Sequence, residues 1–319
     1  MFPPITLTLD AVSVRYGRRA AVDQLSLRVF GGEIVGLLGP NGSGKSSTLA
    51  VCAGVLDPAA GTVLVNDVSP RRRPAAYARL VGFVPQEIAL YEELTAADNL
   101  AFFGNLYGLH GRLLQNRVSA CLDLVGLSDR ARQRVDTLSG GMQRRVNLAC
   151  ALIHEPRVLL LDEPTAALDP ASRDSLFETL GRLRAAGRAV LLTTHHLEEA
   201  EQWCDRVGVL ANGKLVAAGR PEDLGRGQRG AVILGKLRDE IAEEVEQAIR
   251  DRLAGGVDFE VTGRTFRLAA DDGESLAYAL AAMHSEGAEP ESFRTPSARL
   301  ERLFVDDECA EVVAAVEGA

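Results

Sequence analysis

Residues 34–49 read IVGLLGPNGSGKSSTL, and this stretch decides the fold. The run IVGLL is short and apolar, which is typical of a buried strand. It leads into G-P-N-G-S-G-K-S at Gly39–Ser46, which matches G-x-x-x-x-G-K-[ST], and then into a helical pattern. Strand, glycine-rich loop and helix in this order indicate a phosphate-binding loop, in which backbone N–H groups and the helix N-terminus surround an anion.

The side chains of this loop predict a nucleotide site. We expect Lys45 to place its cation on the β- and γ-phosphates and the Ser46 hydroxyl to ligate Mg²⁺. The residues expected to contact the nucleotide here are Gly39, Pro40, Asn41, Gly42, Ser43, Gly44, Lys45, Ser46 and Ser47. Phosphate loops serve kinases, GTPases, motors and transporters alike, so the loop alone does not separate these classes.

A pair of carboxylates follows a second apolar run, VLLLDEP at residues 158–164. Asp162, at the end of this predicted strand, can hold Mg²⁺ opposite Ser46, directly or through water. Glu163 lies one residue farther out, where it can orient or deprotonate an attacking water. A carboxylate beside a γ-phosphate fits hydrolysis better than transfer to an organic acceptor.

Apolar runs and helical patterns alternate along the first two thirds of the chain, which predicts a mainly parallel sheet covered on both faces. The predicted buried strands are Ile34–Leu38, Val81–Val84, Val158–Leu161 and Ala189–Thr193. The opening stretch ITLTLDAVSVRY alternates like a half-exposed antiparallel strand. Residues 87–156 predict a helical subdomain, with one helix face formed by Met142, Val146, Ala149, Cys150 and Ile153.

Charge changes abruptly near residue 230. Residues 231–319 hold 9 Lys/Arg against 20 Asp/Glu, a net charge of −11, whereas the whole chain has −9 and the remainder therefore +2. The stretch GRGQRG at Gly225–Gly230 is typical of a flexible connector. We therefore expect domains at 1–225 and 226–319. The acidic second domain is expected to be a small α+β module with a helix at 236–254, a strand pair around 257–269 and a helix near 275–286.

Several classes of protein are disfavoured. The five cysteines are odd in number, scattered and never in C-x-x-C spacing, so a reducing cytosol is expected rather than a disulfide framework or a zinc site. The opening MFPPITLTLDAV does not resemble a secretory signal. No stretch reaches the ~18–20 apolar residues of a spanning helix. A charge near zero before residue 231 gives little support to a nucleic-acid surface, so no nucleic-acid partner is expected.

The sequence L-S-G-G-M-Q at Leu138–Gln143 leads into the amphipathic helix described above. Together with the phosphate loop and VLLLDEP, it resembles the ATP-binding cassette (ABC) ATPase family over about residues 5–225. The resemblance implies an α/β phosphate-loop NTPase cassette with a mainly parallel sheet, antiparallel N-terminal strands and a helical subdomain. It implies ATP and Mg²⁺ as ligands. Ser139, Gly140 and Gly141 would offer hydroxyl and N–H donors at a helix N-terminus to ATP.

Four further residues match elements of this family. Tyr16 in VRYG resembles the aromatic that stacks on adenine, and Gln86 in GFVPQ resembles the glutamine that reaches Mg²⁺ and the water. Asp169 in AALDP resembles the aspartate of the contact between subunits. His195 in LLTTHH resembles the switch histidine at the γ-phosphate, with His196 as its open neighbour. One departure is Ala166-Ala167, where relatives often have Ser or Asn followed by Gly.

The family resemblance implies an ATPase that works in pairs. A second cassette supplies Ser139–Gly141 across the interface, so that two ATP molecules are held head to tail. Three segments resemble those of drug-resistance, lipid and polysaccharide exporters. They are residues 81–109, TTHHLEEAEQWCDRV and TPSARLERLFVDD at 295–307. Such a chain docks on a membrane-spanning permease at the inner face of the membrane. The alternatives are an importer ATPase and a soluble ABC protein of translation or DNA repair.

Overall fold

The computed structural model describes residues 6–224, 231–253, 257–270 and 273–294. The chain divides into two compact units, Met1–Arg220 and Pro221–Ala319. The predicted connector Gly225–Gly230 and the exporter-like segment 295–307 lie outside the described residues. The domain boundary expected at residue 225 therefore stays a prediction.

The described strands of the first unit form two sheets. In chain order they are β1 (Thr6–Tyr16), β2 (Arg19–Phe30), β3 (Ile34–Leu38), β4 (Ala60–Val65), β5 (Val81–Val84), β6 (Val158–Leu161), β7 (Ala189–Thr194), β8 (Arg206–Ala211) and β9 (Lys214–Gly219). The larger sheet has the order β5-β6-β7-β3-β8-β9, parallel except for the β8–β9 pair. The predicted strands β3, β5 and β6 are confirmed, and β7 extends one residue further.

Seven α-helices connect the strands in the described part of this unit. They are α1 (Lys45–Cys52), α2 (Pro74–Ala78), α3 (Ala96–Leu106), α4 (Gly111–Leu124), α5 (Gly140–Leu152), α6 (Pro170–Ala185) and α7 (Leu197–Trp203). Because β3, β5, β6 and β7 run parallel, their carboxyl ends meet at one edge of the sheet. The segments that follow these ends carry the phosphate loop, Gln86, Asp162 and His195, and this edge is where α/β proteins bind ligands.

The smaller sheet has the order β2-β1-β4 and is antiparallel. Leu7, Leu9, Val12 and Val14 of β1 are buried in a shared core with β3 and α1. The alternation of buried and exposed residues shifts between Leu9 and Val12, where the strand pairing is irregular and Ala11 has a φ of 47°. The predicted antiparallel strand at the start of the chain is confirmed.

Helices α3, α4 and α5 lie between β5 and β6, within the segment 87–156 expected to be helical. Two 3₁₀ turns, Ser128–Arg130 and Val135–Thr137, precede α5. On α5 the predicted apolar face is buried at Val146, Ala149 and Cys150, and Ile153 follows at the helix end. The fold class predicted from the sequence, an α/β phosphate-loop cassette, is confirmed.

The second unit contains a four-stranded antiparallel sheet and helices that pack on it. Its elements are α8 (Pro221–Leu224), β10 (Ala231–Leu237), α9 (Glu243–Arg252), β11 (Val257–Thr262), β12 (Thr265–Ala270), α10 (Gly273–Ser285) and β13 (Pro290–Arg294). The strand order is β11-β12-β10-β13. From β10 onward the chain follows a β-α-β-β-α-β path, which is the ferredoxin-like arrangement. Its core includes Ile233, Leu237, Phe259, Phe266 and Ile249.

The helix predicted at 236–254 is wrong at its start. Residues 236 and 237 belong to β10, and the helix begins only at Glu243. The reason is long-range pairing, because β10 is a central strand that bonds to both β12 and β13. Leu237 is fully buried in the core of this unit. The strand pair at β11–β12 and the second helix, α10, lie where the sequence predicts them.

Candidate functional site

Residues 39–46 connect β3 to α1 in a tight loop that two glycines make possible. Gly39 has a φ of 153°, and a Cβ there would lie 2.3 Å from the Leu210 carbonyl oxygen. Gly44 has a φ of 105°, and its Cβ would lie 2.4 Å from the Ala21 carbonyl oxygen. Any side chain at either position would collide with backbone. Glycine is therefore required at both positions, and its positive φ lets the loop turn its N–H groups towards a phosphate.

Lys45 lies at the start of α1 with its ammonium turned back over this loop. Its Nζ donates to the carbonyl oxygens of Gly39 at 2.7 Å and Pro40 at 3.0 Å. Burial lowers the pKa of Lys45, and the nearby Glu163 and Asp162 carboxylates act in the opposite direction. A cation held over the loop by neutral carbonyls can exchange them for the oxygens of a bound triphosphate.

Asp162 directly follows β6 and faces the phosphate loop. Its Oδ1 accepts hydrogen bonds from Ser46 Oγ at 3.2 Å and from Thr193 Oγ1 at 2.6 Å. The Thr193 hydroxyl also accepts the Glu163 N–H at 2.9 Å. One hydroxyl from β7 thus fixes both members of the carboxylate pair. The sequence analysis missed Thr193, and its only sequence signal is a polar residue at the end of an apolar strand.

Two predicted residues, Gln86 and His195, converge on the Glu163 side chain. Gln86 Nε2 donates to Glu163 Oε2 at 3.4 Å, and His195 Nδ1 lies 3.5 Å from Oε1. Glu163 itself has a φ of 43°, an uncommon conformation for a residue other than glycine. Such strain persists where the surrounding structure enforces it, often at functional sites. The backbone therefore aims this carboxylate at the open edge of the sheet between Gln86 and His195.

Of the two adjacent histidines, His195 is the one beside Glu163. His196 caps α7, and its N–H donates to Thr194 Oγ1 at 2.9 Å. Burial lowers the pKa of His196, and the nearby Glu199 carboxylate raises it. His196 is therefore held in a structural position, whereas His195 is exposed on the side of the carboxylate.

Tyr16 lies at the end of β1, beside α1. Its side chain is 56% exposed, and its hydroxyl lies 3.4 Å from Ser47 Oγ. An exposed ring next to the phosphate loop offers a face on which a flat base can stack. The structure thus brings Tyr16 and Ser47 together at the flank of the loop.

The predicted signature residues form a second group with Asp169. Ser139 caps α5, and its Oγ accepts the Met142 N–H at 3.3 Å. A Cβ at Gly141 would lie 2.5 Å from Ser172 Oγ, whereas a Cβ at Gly140 would meet nothing within 4 Å. The start of α5 therefore packs on the start of α6 and leaves its own first residue open.

Asp169 caps α6 in this second group. It accepts the Ser172 N–H at 3.0 Å, and the Ser172 hydroxyl donates to it at 2.6 Å. The hydrogen bond from that hydroxyl holds the pKa of Asp169 below its ordinary value. The carboxylate is thus ionised and exposed next to the open N-terminus of α5.

Arg144 is a buried residue that the sequence analysis did not single out. Its Nη1 donates to the Pro85 carbonyl oxygen at 3.0 Å, directly before Gln86. Burial lowers the pKa of Arg144, and the Asp162 carboxylate raises it. This arginine links α5 to the segment that carries Gln86. In the sequence it is one of two adjacent arginines, so only the structure distinguishes it.

The described residues contain neither a preformed metal cluster nor a spanning helix. No group of three or more His, Cys, Asp and Glu side chains there is arranged to hold a metal ion. Within the same ranges, none of the helices combines the length and apolar character needed to span a bilayer.

Comparison with known proteins places the first unit among transport ATPases. A family model described as ABC transporter matches residues 22–166. The linearmycin resistance ATP-binding protein LnrL of Bacillus subtilis is 39% identical over 244 residues, which cover 76% of this chain and 78% of the relative. A Nod factor export ATP-binding protein I of Paraburkholderia xenovorans is 42% identical over 253 residues, which cover 77% of this chain and 83% of the relative.

A solved structure supports the same comparison. The ATP-binding cassette MJ0796, a dimer in a post-hydrolysis state with ADP and Pi, aligns with a TM-score of 0.61 at 28% identity. The alignment covers 67% of this chain and 98% of that cassette. The alignment therefore includes nearly all of that cassette. The alignments with the two relatives named above likewise cover most of each relative's length.

Proposed function

The chain belongs to the ABC transporter ATP-binding family, and from that premise we propose that it drives export through a separate membrane-spanning permease. It is an ATP-binding subunit and ATPase of an ABC transporter, homologous to exporter ATPases. The assignment of individual residues, the magnesium ion and the direction of transport belong to the proposal. The observation that carries it is the convergence of Gln86 and His195 on Glu163, beside the Asp162–Ser46 pair.

The donors at the phosphate loop fit a magnesium ion. Ser46 Oγ and Asp162 Oδ1 lie 3.2 Å apart and could each ligate it. Gln86 follows β5, the strand beside β6, and could offer its amide oxygen. Mg²⁺ is usually bound by one or two carboxylates together with substrate phosphates, rather than by a cage of protein ligands. When bound, the ion would neutralise charge on the β- and γ-phosphates. Ser46, Gln86 and Asp162 are its proposed ligands.

Glu163 is the proposed group that accepts the proton of the attacking water. Its carboxylate is held by the Thr193 hydroxyl through the backbone and lies within reach of two polar side chains. Gln86 would orient the water, and His195 would contact the γ-phosphate from the opposite side. Lys45 and the loop N–H groups would hold the triphosphate, and Tyr16 would stack on the adenine. Each of these roles is supported by the position of the side chain and by the chemistry of its polar group or ring.

A second cassette is proposed to complete each nucleotide site. Ser139 caps α5, and Gly140 and Gly141 begin it. Gly141 packs on Ser172, which is hydrogen-bonded to Asp169. Gly140 has open space where a side chain would be, so a phosphate can approach its N–H closely. The dimeric cassette among the similar structures supports head-to-tail pairing. The second cassette is either a copy of this chain or a paralogue, and the mass of the ATP-bound dimer distinguishes the two.

The proposed docking region for the permease lies near Gln86–Asn99, which includes the first turn of α3. Ile88 and Tyr91 are exposed in it and Phe102 beside it, and the rings of Tyr91 and Phe102 contact edge to face at 4.8 Å. Exposed apolar groups of this kind suit a short helix of a partner. The chain would thus attach to the inner face of the membrane through its permease. Export is inferred from the relatives named for export and resistance.

The proposal is tested with Glu163→Gln, compared with Glu198→Gln as a matched control on an exposed carboxylate. We expect Glu163→Gln to bind ATP like the wild type, to lose at least about a hundredfold in kcat and to accumulate ATP-bound dimers. Steady-state hydrolysis and sedimentation with Mg·ATP measure both effects. Turnover close to that of the wild type would remove Glu163 from the catalytic role.

Purification of the chain with its native complex tests the transport partner. Recovery of a multi-spanning permease supports the proposal, and uptake or release by reconstituted vesicles then separates import from export. Recovery of ribosomes or DNA instead would support the alternative of translation or repair.

A further inference from the structure

Glu199 is a buried carboxylate that none of the roles above uses. It lies in α7 and is 5% exposed. Its Oε2 accepts hydrogen bonds from Thr165 Oγ1 at 2.8 Å and from Thr194 Oγ1 at 3.1 Å. Its Oε1 lies 3.2 Å from Arg173 Nε, in an ion pair without an aligned hydrogen bond. A buried carboxylate is tolerated because these partners compensate for its lost hydration.

The three partners of Glu199 belong to three different functional segments. Thr165 lies two residues after Glu163, and Thr194 directly precedes His195. Arg173 lies in the first turn of α6, where its N–H donates to the Asp169 carbonyl oxygen at 3.0 Å. One carboxylate thus contacts the segments that carry the proposed base, the switch histidine and the aspartate of the dimer contact.

The hydroxyl of Thr194 has its direction fixed by two contacts. It accepts the His196 N–H at 2.9 Å and donates to Glu199. Without the carboxylate, this hydroxyl would lose its acceptor, and the turn that holds His195 would lose a tether. The Thr165 hydroxyl likewise donates to Glu199 within a residue that is 2% exposed, so water cannot readily replace the acceptor.

We propose that Glu199 is a positioning residue that sets the places of Glu163, His195 and Asp169 relative to one another. The inference rests on the proposed function of those residues. Charge-assisted hydrogen bonds in a buried setting hold geometry well. Loss of about 1 Å in the placement of a reacting group can lower a rate by about a hundredfold. Glu199 therefore connects the hydrolysis site to the dimer contact without touching ATP.

The test compares Glu199→Gln with Glu198→Gln, an exposed neighbour in the same helix. Glutamine keeps one acceptor oxygen but loses the charge and the oxygen that faces Arg173. We therefore expect Glu199→Gln to lower kcat by at least about tenfold while the Kd for ATP changes by less than about threefold. Glu198→Gln should match the wild type in both. Thr165→Val should reproduce the loss in kcat, and Thr165→Ser, which keeps the hydroxyl, should restore it. A merely structural role would not produce this split between kcat and Kd.

The outcomes separate this inference from the proposed function. Suppose that the wild type is active, that Glu163→Gln is slow, and that Glu199→Gln folds with a kcat within about twofold of the wild type. This result overturns the role of Glu199 and leaves the proposed function standing. Equal rates for Thr165→Val and Thr165→Ser also overturn it. A wild type without ATPase activity, or a Glu163→Gln variant at full speed, overturns the proposed function instead. If Glu199→Gln does not fold, the Thr165 pair decides the question.

Discussion

Acidification is expected to destabilise the first unit through His154, which lies just after α5. Its Nε2 lies 3.0 Å from the Val81 carbonyl oxygen, and its ring stacks on Tyr107 with centroids 3.7 Å apart. Burial lowers the pKa of His154 to about 4 from its ordinary 6.5, although the Val81 carbonyl acts in the opposite direction. The neutral imidazole therefore fits this place and the imidazolium does not.

The direction of the pH dependence follows from the pKa values of His154 in the folded and unfolded states. Because the pKa is lower in the folded state, the unfolded chain binds this proton first as the pH falls. The stabilising contribution of neutral His154 is complete above about pH 6.5 and is lost as the pH falls towards 4. The full difference between the two pKa values corresponds to about 3 kcal/mol. At pH 5 the free energy of unfolding is lower than at pH 8 by about 2 kcal/mol through this group.

Urea unfolding at several pH values measures this loss in the wild type and in His154→Gln. Glutamine has an amide donor for the Val81 carbonyl but does not titrate. Fluorescence of Trp203, the single tryptophan, reports on the first unit, where it stacks on Phe177 at 4.9 Å. The difference between the two curves isolates His154 from every other group. The same loss of stability in both proteins between pH 8 and 5 would refute the reasoning.

Substitutions at Ala167, Gly44 and Tyr16, with controls where the chain offers them, test the backbone geometry and the proposed stacking. Ala167 has a φ of 60°, so Ala167→Gly should stabilise the chain by about 0.5–1 kcal/mol in urea unfolding, whereas Ala166→Gly should destabilise it; the opposite order would contradict the assigned backbone. Gly44→Ala should lower the free energy of unfolding by more than about 2 kcal/mol and abolish ATP binding by calorimetry, and a stable, ATP-binding variant would show that the loop tolerates a Cβ. Tyr16→Ala should raise the KM for ATP about tenfold with little change in kcat, and Tyr16→Phe should not; equal KM values would exclude stacking.

Much of the first unit was predictable because buried parallel strands are continuous apolar runs with clear ends. The phosphate loop and the carboxylate pair also follow such strands directly, so their meeting at one sheet edge could be expected. Ala231–Leu237 was harder, because its pairing partners lie more than twenty residues away in the sequence. The amphipathic pattern of α9 already starts within the last residues of β10, so it predicts a helix that begins too early. Pro290–Arg294 is short, and its register with β10 has no local signal.

The residues that support the site were less predictable than those that form it. Thr193 acts through hydrogen bonds to the Asp162 carboxylate and the Glu163 N–H, and Arg144 acts through one to the Pro85 carbonyl oxygen. Glu199 and Glu198 are adjacent identical letters, yet only Glu199 is buried. Their roles depend on which side chains other elements bring near, which is tertiary information. The pairing of Gly141 with Ser172 is likewise visible only once α5 and α6 are packed.

The second unit has a further consequence for how such chains arise. Residue 234 in β10 lies opposite residue 294 in β13, so the first and last strands of its sheet are direct neighbours. The two strands are antiparallel, so the start of β10 and the end of β13 lie at the same end of this sheet. A segment that begins and ends at neighbouring points can be gained, lost or exchanged as one piece, because its two ends need only a single place of attachment.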